Sequence, residues 1–274
     1  MVSGNNLIIE LGGRLGNMLF SMTAGAYYAR KFGKDNVFVH FRYANWKRYS
    51  DSYTRFQIYP EWKGPNPMTY QRVFNRNDYV YEDLKDFPNE NVYFDGSFES
   101  EMFFPDREFV DGMWRCPDDV ETKIRRSYQN IDECVGISVR RGDYLHFRDL
   151  FYVPKASWYL DMYDKYFRGR PAIVFSDDIE WCKVNLRNEN FVYYENTHTS
   201  DQYFIKDPVA NIYAMALCKD HICSCSTWSW WGARLCERDG AVNVFHDKRF
   251  KPQSGKDYST YVPDRWIREN AEYE

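Results

Sequence analysis

The sequence predicts an α/β protein built on parallel strands. Four times a short apolar run is followed at once by small or charged residues and then by a helical pattern, the order expected of β-loop-α units. Hydrophobic residues make up 44% of the 274 and aromatic residues 19%, so the chain can bury a full core rather than stay disordered. That length suits one large domain or two compact ones.

The first unit is Leu7-Ile8-Ile9-Glu10-Leu11, which leads into Gly12-Gly13-Arg14-Leu15-Gly16-Asn17. The helix after it carries Leu19, Phe20, Thr23, Ala26, Tyr27 and Arg30. The glycines do not follow Gly-x-Gly-x-x-Gly, and no acid closes a second strand at the expected distance, which argues against a nicotinamide fingerprint. Asn17 places both a donor and an acceptor at a helix start, so this turn is expected to face a ligand. Residues 41–115 are dense in Tyr, Trp, Phe, Asn and Arg, with prolines and weak periodicity. Aromatics there suit both an ordinary core and the stacking of acceptor sugar faces. The helical run Asp118–Ser127 precedes the next strand, which places a domain boundary near 130: an acceptor-side domain at 1–130 and a second domain at 131–274.

The second unit runs from Cys134 to Val139 into Arg140-Arg141-Gly142-Asp143-Tyr144, with a helix resuming near Pro154. Guanidinium forks match the paired oxygens of a phosphate, and a glycine lets backbone approach a ligand. An ion pair with Asp143 needs only one of the two arginines, so the other remains for a ligand. The third unit, Ala172–Phe175, leads into Ser176-Asp177-Asp178. Asp177 and Glu180 stand at capping-box spacing, which leaves Asp178 as a carboxylate able to accept from a guanine edge or a ribose. Asp207 to Cys218 reads as a packing helix, with Asp207 as cap and Pro208 in the first turn. The fourth unit, Ile222 to Cys225, leads into Ser226-Thr227-Trp228-Ser229 and then a helix through Trp230 and Trp231, with Gly240 as a stop. Three hydroxyls at a helix N-terminus make a cradle for phosphate or sugar, and one of the two tryptophans is expected in the core. In open parallel sheets ligands lie outside the carboxyl ends of the strands, where helix N-termini add N–H groups and partial positive charge. These clusters therefore point to a diphosphate-bearing substrate.

Composition removes other classes. With 36 basic and 40 acidic residues the net charge is −4, unlike a general nucleic-acid binder. Seven scattered cysteines read as reduced, mostly buried thiols, and Cys223-Ser-Cys225 has no partner pair at zinc spacing. Asp177-Asp178 has no histidine near it, and Glu180 stands at capping-box spacing, so no metal is expected. No window approaches ~18 apolar residues, and the first residues lack a signal-peptide pattern, so a cytoplasmic protein is expected.

With these residues assembled, the chain resembles the bacterial α-1,2-fucosyltransferases, relatives of the α-1,6- and protein O-fucosyltransferases. Gly12 to Phe20 looks like the N-terminal signature, and Ser138-Val139-Arg140-Arg141-Gly142-Asp143-Tyr144 like the His-x-Arg-Arg-Gly-Asp-Tyr donor motif. Phe175 to Trp181 and Ser226 to Ala233 look like the downstream blocks, in the right order. The resemblance implies a GT-B-like fold of two Rossmann-like halves, with a parallel sheet in the C-terminal donor domain. It implies inverting, metal-independent transfer of fucose from GDP-β-L-fucose to a galactoside 2-hydroxyl, with no cofactor. Arg140 and Arg141 would meet the diphosphate and Asp178 the guanosine. Ser226, Thr227 and Ser229 would bind phosphate, with Gly16 in the donor loop and Asn17 facing the catalytic cleft. Asp143 is the carboxylate candidate for a base or an arginine-orienting role. The expected partners are a GDP-sugar and a glycan acceptor, with peripheral contact where that acceptor is lipid-linked.

Four positions depart from the family pattern. Ser138 stands for its histidine, Asp220 for the histidine of a Cys-Lys-His run, Cys225 for an asparagine and Trp228 for a phenylalanine. Alternatives are a non-catalytic carbohydrate or nucleotide-sugar binding protein, and a transferase using another GDP-sugar.

Overall fold

The computed structural model describes residues 4–41, 59–73, 80–195 and 208–274. The chain divides into two compact units, one running to Trp114 and regaining 256–263, the other comprising Arg115–Gly255 and Asp264–Glu274. Both are built on all-parallel sheets, as the repeated β-loop-α pattern predicts. The aromatic-rich segments 42–58 and 74–79 lie outside the described residues, as does Asp207.

The first unit holds β1 (Asn6–Leu11), β2 (Asn36–Phe41), β3 (Gln71–Val73) and β4 (Val92–Phe94), in the order β2-β1-β4-β3. β1 lies between two strands and all six of its residues are buried, which is why its apolar run is nearly continuous. Helix α1 (Leu15–Phe32) follows the glycine-rich turn and packs on β1. Its buried Thr23 accepts from the Trp114 indole at 2.8 Å, and its Phe20 meets the rings of Phe104 and Tyr261. The short α2 (Arg107–Met113) is capped by Asp106, which accepts from Phe109 N at 2.9 Å.

Among the described residues the second unit holds six strands: β5 (Val135–Val139), β6 (Ala172–Ser176), β7 (Phe191–Tyr193), β8 (Asp220–Cys223), β9 (Asn243–His246) and β10 (Ile267–Glu269). Their order is β10-β9-β8-β5-β6-β7. The chain winds one way from β5 to β7 and the other way from β8 to β10. The carboxyl ends of β5 and β8 therefore flank a topological switch point, where α/β sheets open a ligand crevice. The helices are α3 (Asp118–Ser127), α4 (Gly142–His146), α5 (Ala156–Tyr166), α6 (Ile179–Asn185), α7 (Pro208–Ala216) and α8 (Thr227–Arg234). Val135, Ile137 and Val139 of β5 pack with Trp158, Tyr159, Met162 and Tyr163 of α5 in the main core.

Several elements differ from the sequence reading. The division falls after Trp114 rather than near 130, because α3 buries Val120 and Ile124 and packs against α7 in the second unit. β8 begins at Asp220, two residues before the apolar run. Asp220 is paired with Arg170 at 2.5 Å, and His221 lies 2.8 Å from Asn243 Oδ1 and 2.9 Å from Met215 O, so these buried polar groups are satisfied from elsewhere. Trp230 and Trp231 are both fully buried, correcting the expectation of one. α8 is enclosed, with Trp230 against Trp266 and Gly232 against Met215 of α7.

All seven cysteines are free thiols and six are buried, with only Cys236 partly accessible. Burial pushes the thiols of Cys116, Cys182 and Cys225 up to about 12, so little thiolate exists at neutral pH. Titration of the native protein with an aromatic disulfide reagent should therefore modify one thiol quickly, and all seven only after denaturation. Rapid reaction of several thiols in the native state would contradict this packing.

Candidate active site

The second unit gathers its polar strand ends in one place. Arg140 and Arg141 follow β5, Asp177 and Asp178 follow β6, and Ser224 to Thr227 follow β8. Asp177 is the clamp. One oxygen accepts from Arg141 N at 2.9 Å and the other lies 2.6 Å from Arg140 Nη1. The approach depends on Gly142, because a Cβ there would sit 2.3 Å from Asp177 Oδ2. The glycine of the Arg-Arg-Gly-Asp run is therefore needed for the clamp itself.

Arg140 is flanked by Asp177 and Asp143 and lies 5.4 Å from the centre of the Tyr144 ring. Burial alone would lower its pKa, but the two carboxylates outweigh it and hold it above the ordinary arginine value. Asp143 stands on the first turn of α4, a helix the sequence reading placed only from Pro154. Its carboxylate accepts from Arg140 Nη2.

Arg141 is the most enclosed charge of the cluster, with its side chain only 7% exposed. Its guanidinium lies over the Trp181 ring at 3.6 Å. Nε donates to Asp178 Oδ2 at 3.3 Å and Nη1 to the Glu274 carboxylate, while Nη2 donates to no described residue. Asp178, rather than Asp177, caps α6, accepting from Trp181 N at 3.3 Å while its own N–H donates to Ser176. Trp181 and Glu274 escaped the sequence reading. Trp181 stood inside a quoted motif as an ordinary helix residue, and Glu274 lies 133 residues from Arg141.

The hydroxyl cradle also divides. Ser226 caps α8 by accepting from Ser229 N, and Thr227 opens the helix. Ser229 was expected to touch the ligand, but it is fully buried. Its Oγ lies 2.6 Å from Ser138, 3.0 Å from Ser224 and 2.6 Å from Ser226. It therefore braces the cradle from beneath, because the helix starts at Thr227, three residues before the Trp230-Trp231 run. Ser138 completes this hydroxyl network across from β5. His246 Nε2 accepts from Cys225 N at 2.9 Å and so holds the turn that carries Ser226.

Gly16 and Asn17 belong to the first unit. Both lie on the first turn of α1, where Asn17 Nδ2 donates to Glu99 Oε1 at 2.8 Å. Among the described residues no three of His, Cys, Asp and Glu gather as a cation site. Among the same residues no helix is long and apolar enough to cross a membrane.

A paired-arginine strand end beside a hydroxyl-capped helix is an arrangement suited to an anionic, phosphorylated group. Residues 70–269, nearly three quarters of the chain, match the model of glycosyl transferase family 11. The chain belongs to this family. The match contains the Arg140-Arg141, Asp177-Asp178 and Ser226-Thr227 segments, whereas the glycine-rich turn precedes it. This family 11 chain is 29% identical over 142 residues to an α-1,2-colitosyltransferase of Escherichia coli, covering 49% of this chain and 47% of that protein. It is 30% identical over 143 residues to the O-antigen biosynthesis glycosyltransferase WbnK of Escherichia coli, covering 48% and 43%. The alignments span about half the length of these curated relatives. Among solved structures it is similar to the α-1,6-fucosyltransferase NodZ from Bradyrhizobium, soaked with GDP-fucose. That likeness has a TM-score of 0.54 at 12% identity over 84% of this chain and 92% of that chain. It is a likeness of fold, and it makes the family 11 chain GT-B-like.

Proposed function

We propose that this protein transfers L-fucose from GDP-β-L-fucose to a galactoside hydroxyl, forming an α-1,2 linkage with inversion and without a metal. The observation that carries this reading is the juxtaposition, at one switch point, of Arg141 with an uncommitted Nη2 edge and the hydroxyl-capped start of α8. In this reading Arg141 and Thr227 bind the diphosphate and stabilise the charge that develops as it leaves. Arg140 acts behind it, fixed by Asp177 and Asp143. Asp178, with a third of its side chain exposed, meets the guanosine. Asn17 acts on the acceptor side.

The developing charge is spread over a diphosphate, so the bond to the sugar can lengthen before the acceptor proton leaves. A strong base is then unnecessary, which fits a site whose carboxylates are committed to arginines. A linkage to a 2-hydroxyl is supported by the α-1,2-colitosyltransferase relative, and glycan assembly by the O-antigen relative. The first of these also favours a second reading, transfer of a colitosyl rather than a fucosyl group. Work on glycan precursors at the cytoplasmic face, including lipid-linked ones, fits this activity.

Calorimetric titration with GDP-fucose, GDP-mannose and UDP-galactose in buffer containing EDTA tests the donor. Selective binding of GDP-fucose is the expected result. Binding of none of the three would overturn the transferase reading and favour a carbohydrate-binding protein. Equal affinity for GDP-mannose would overturn the assignment of fucose.

A further inference from the structure

We infer that His40 receives the proton of the glycan hydroxyl and is set for this by a buried Tyr93–Glu10 pair, an inference resting on the proposed transfer reaction. In the first sheet β1 lies between β2 and β4. Glu10 and His40 are the penultimate residues of β1 and β2 and are paired in register, while Tyr93 is the middle residue of β4. From β1 the chain passes to β2 on one side and later returns to β4 on the other. The carboxyl end of β1 therefore borders another switch point, just before the glycine-rich turn.

The three side chains form a chain of hydrogen bonds. Tyr93 donates to Glu10 Oε2, and its oxygen lies 3.3 Å from His40 Nδ1. A phenol carries a single proton, so with that proton committed to the carboxylate its oxygen can only accept from His40. Other contacts of Glu10 leave this unchanged, because they do not alter the number of protons on Tyr93. Nδ1 is therefore the protonated nitrogen, and Nε2 keeps its lone pair with no hydrogen-bond partner among the described residues. Tyr93 and Glu10 are buried, whereas His40 is half-buried, so the imidazole is the member that a ligand can reach. The His40 and Tyr93 rings meet edge-on at 6.0 Å, and Arg72 of β3 lies 5.9 Å from the centre of the Tyr93 ring. Burial lowers the His40 pKa and nearby Glu61 opposes it only in part, so the ring is neutral at neutral pH.

In the transfer the acceptor oxygen bonds the anomeric carbon of fucose. The bond from that carbon to the diphosphate breaks, with its electron pair left on the diphosphate. The hydroxyl proton passes to His40 Nε2, and the imidazolium, still donating through Nδ1 to Tyr93, later returns that proton to solvent. A late proton transfer needs only a weak base, which a neutral imidazole supplies and carboxylates committed to Arg140 and Arg141 do not.

The tautomer of His40 can be read from the imidazole nitrogen NMR shifts at neutral pH. The Nδ1–H form is expected in the wild type, and loss of that preference in Tyr93→Phe. An Nε2–H form in the wild type, or the same tautomer in both proteins, would overturn the inference whatever the turnover. With GDP-fucose and methyl β-galactoside, His40→Gln should lower kcat ~10²-fold and leave donor Kd unchanged. It should also remove the acidic limb of the kcat profile, which in the wild type falls below about pH 6.5, over a range where circular dichroism shows the fold intact. Tyr93→Phe should lower kcat by a smaller factor and keep that limb. Near-normal kcat in folded His40→Gln, or a loss in which the acidic limb persists, would overturn the inference and leave the donor assignment standing. Failure of the transferase reading itself shows separately, in the calorimetric titration with nucleotide sugars.

Discussion

Arg141→Ala should reduce kcat by ~10²–10³ and weaken GDP-sugar binding, while the protein remains folded. The geometry separates these effects. Arg141 is held by Asp178, Glu274 and the face of Trp181, and its backbone N–H is held by Asp177, so its remaining edge is pre-aimed. Removing the side chain takes the ion pair from Asp178 and leaves Glu274 with Arg148 at 3.8 Å, but both carboxylates reach solvent and can hydrate there. The loss therefore falls on ligand binding more than on stability. Arg141→Lys should recover little, because an ammonium cannot bond Asp178 and Glu274 while stacking on Trp181. Turnover, calorimetry and circular dichroism on both variants check this. Near-normal turnover in a folded Arg141→Ala protein would sink the site assignment.

A second large effect is acid destabilisation that begins well above the carboxylate range. Burial holds the His246 pKa down at about 3, and it lowers that of the buried His221 as well. A nearby Asp247 pulls His246 upward and Arg249 pushes it down, but desolvation dominates. Below the unfolded value near 6.5 the unfolded chain binds a proton that the folded state refuses, so stability is complete above that pH and falls beneath it. At pH 5 His246 alone should cost about 2 kcal/mol, or roughly 4–8 °C in Tm for a chain of this size. The effect reaches the site, since protonation at Nε2 would abolish its acceptance from Cys225 N and release the turn before Ser226. His246→Gln can still accept that bond, so its Tm should change much less between pH 6.5 and 5. Parallel curves for wild type and variant would show that His246 does not control the acid limb.

Part of this architecture is legible locally and part is not. The β-loop-α rhythm follows from periodicity, since a doubly covered parallel strand must be apolar along its length, as in β1 and β5. Polar residues at strand ends mark the crevice for a related reason, because only there does the sheet stop burying its side chains. The start of β8 was hidden, since Asp220 and His221 look unsuited to a buried strand until Arg170, Met215 and Asn243 satisfy them. The capping role of Asp178 and the clamping role of Asp177 could not be told apart either. Adjacent carboxylates are equivalent in sequence, and only the approach to Gly142 distinguishes them.

The α/β class, the position of the arginine pair and the hydroxyl-rich helix start can thus be read from the chain alone, because each depends on residues adjacent along it. How those groups are used follows from the packing. Ser229 became a buried brace, both tryptophans entered the core, Arg141 gained Trp181 and Glu274, and Asn17 gained Glu99. Each of these outcomes depends on which strands become neighbours and where each helix starts. Burial and pairing across tens of residues are properties of the packed sheet, and no local run of sequence encodes them.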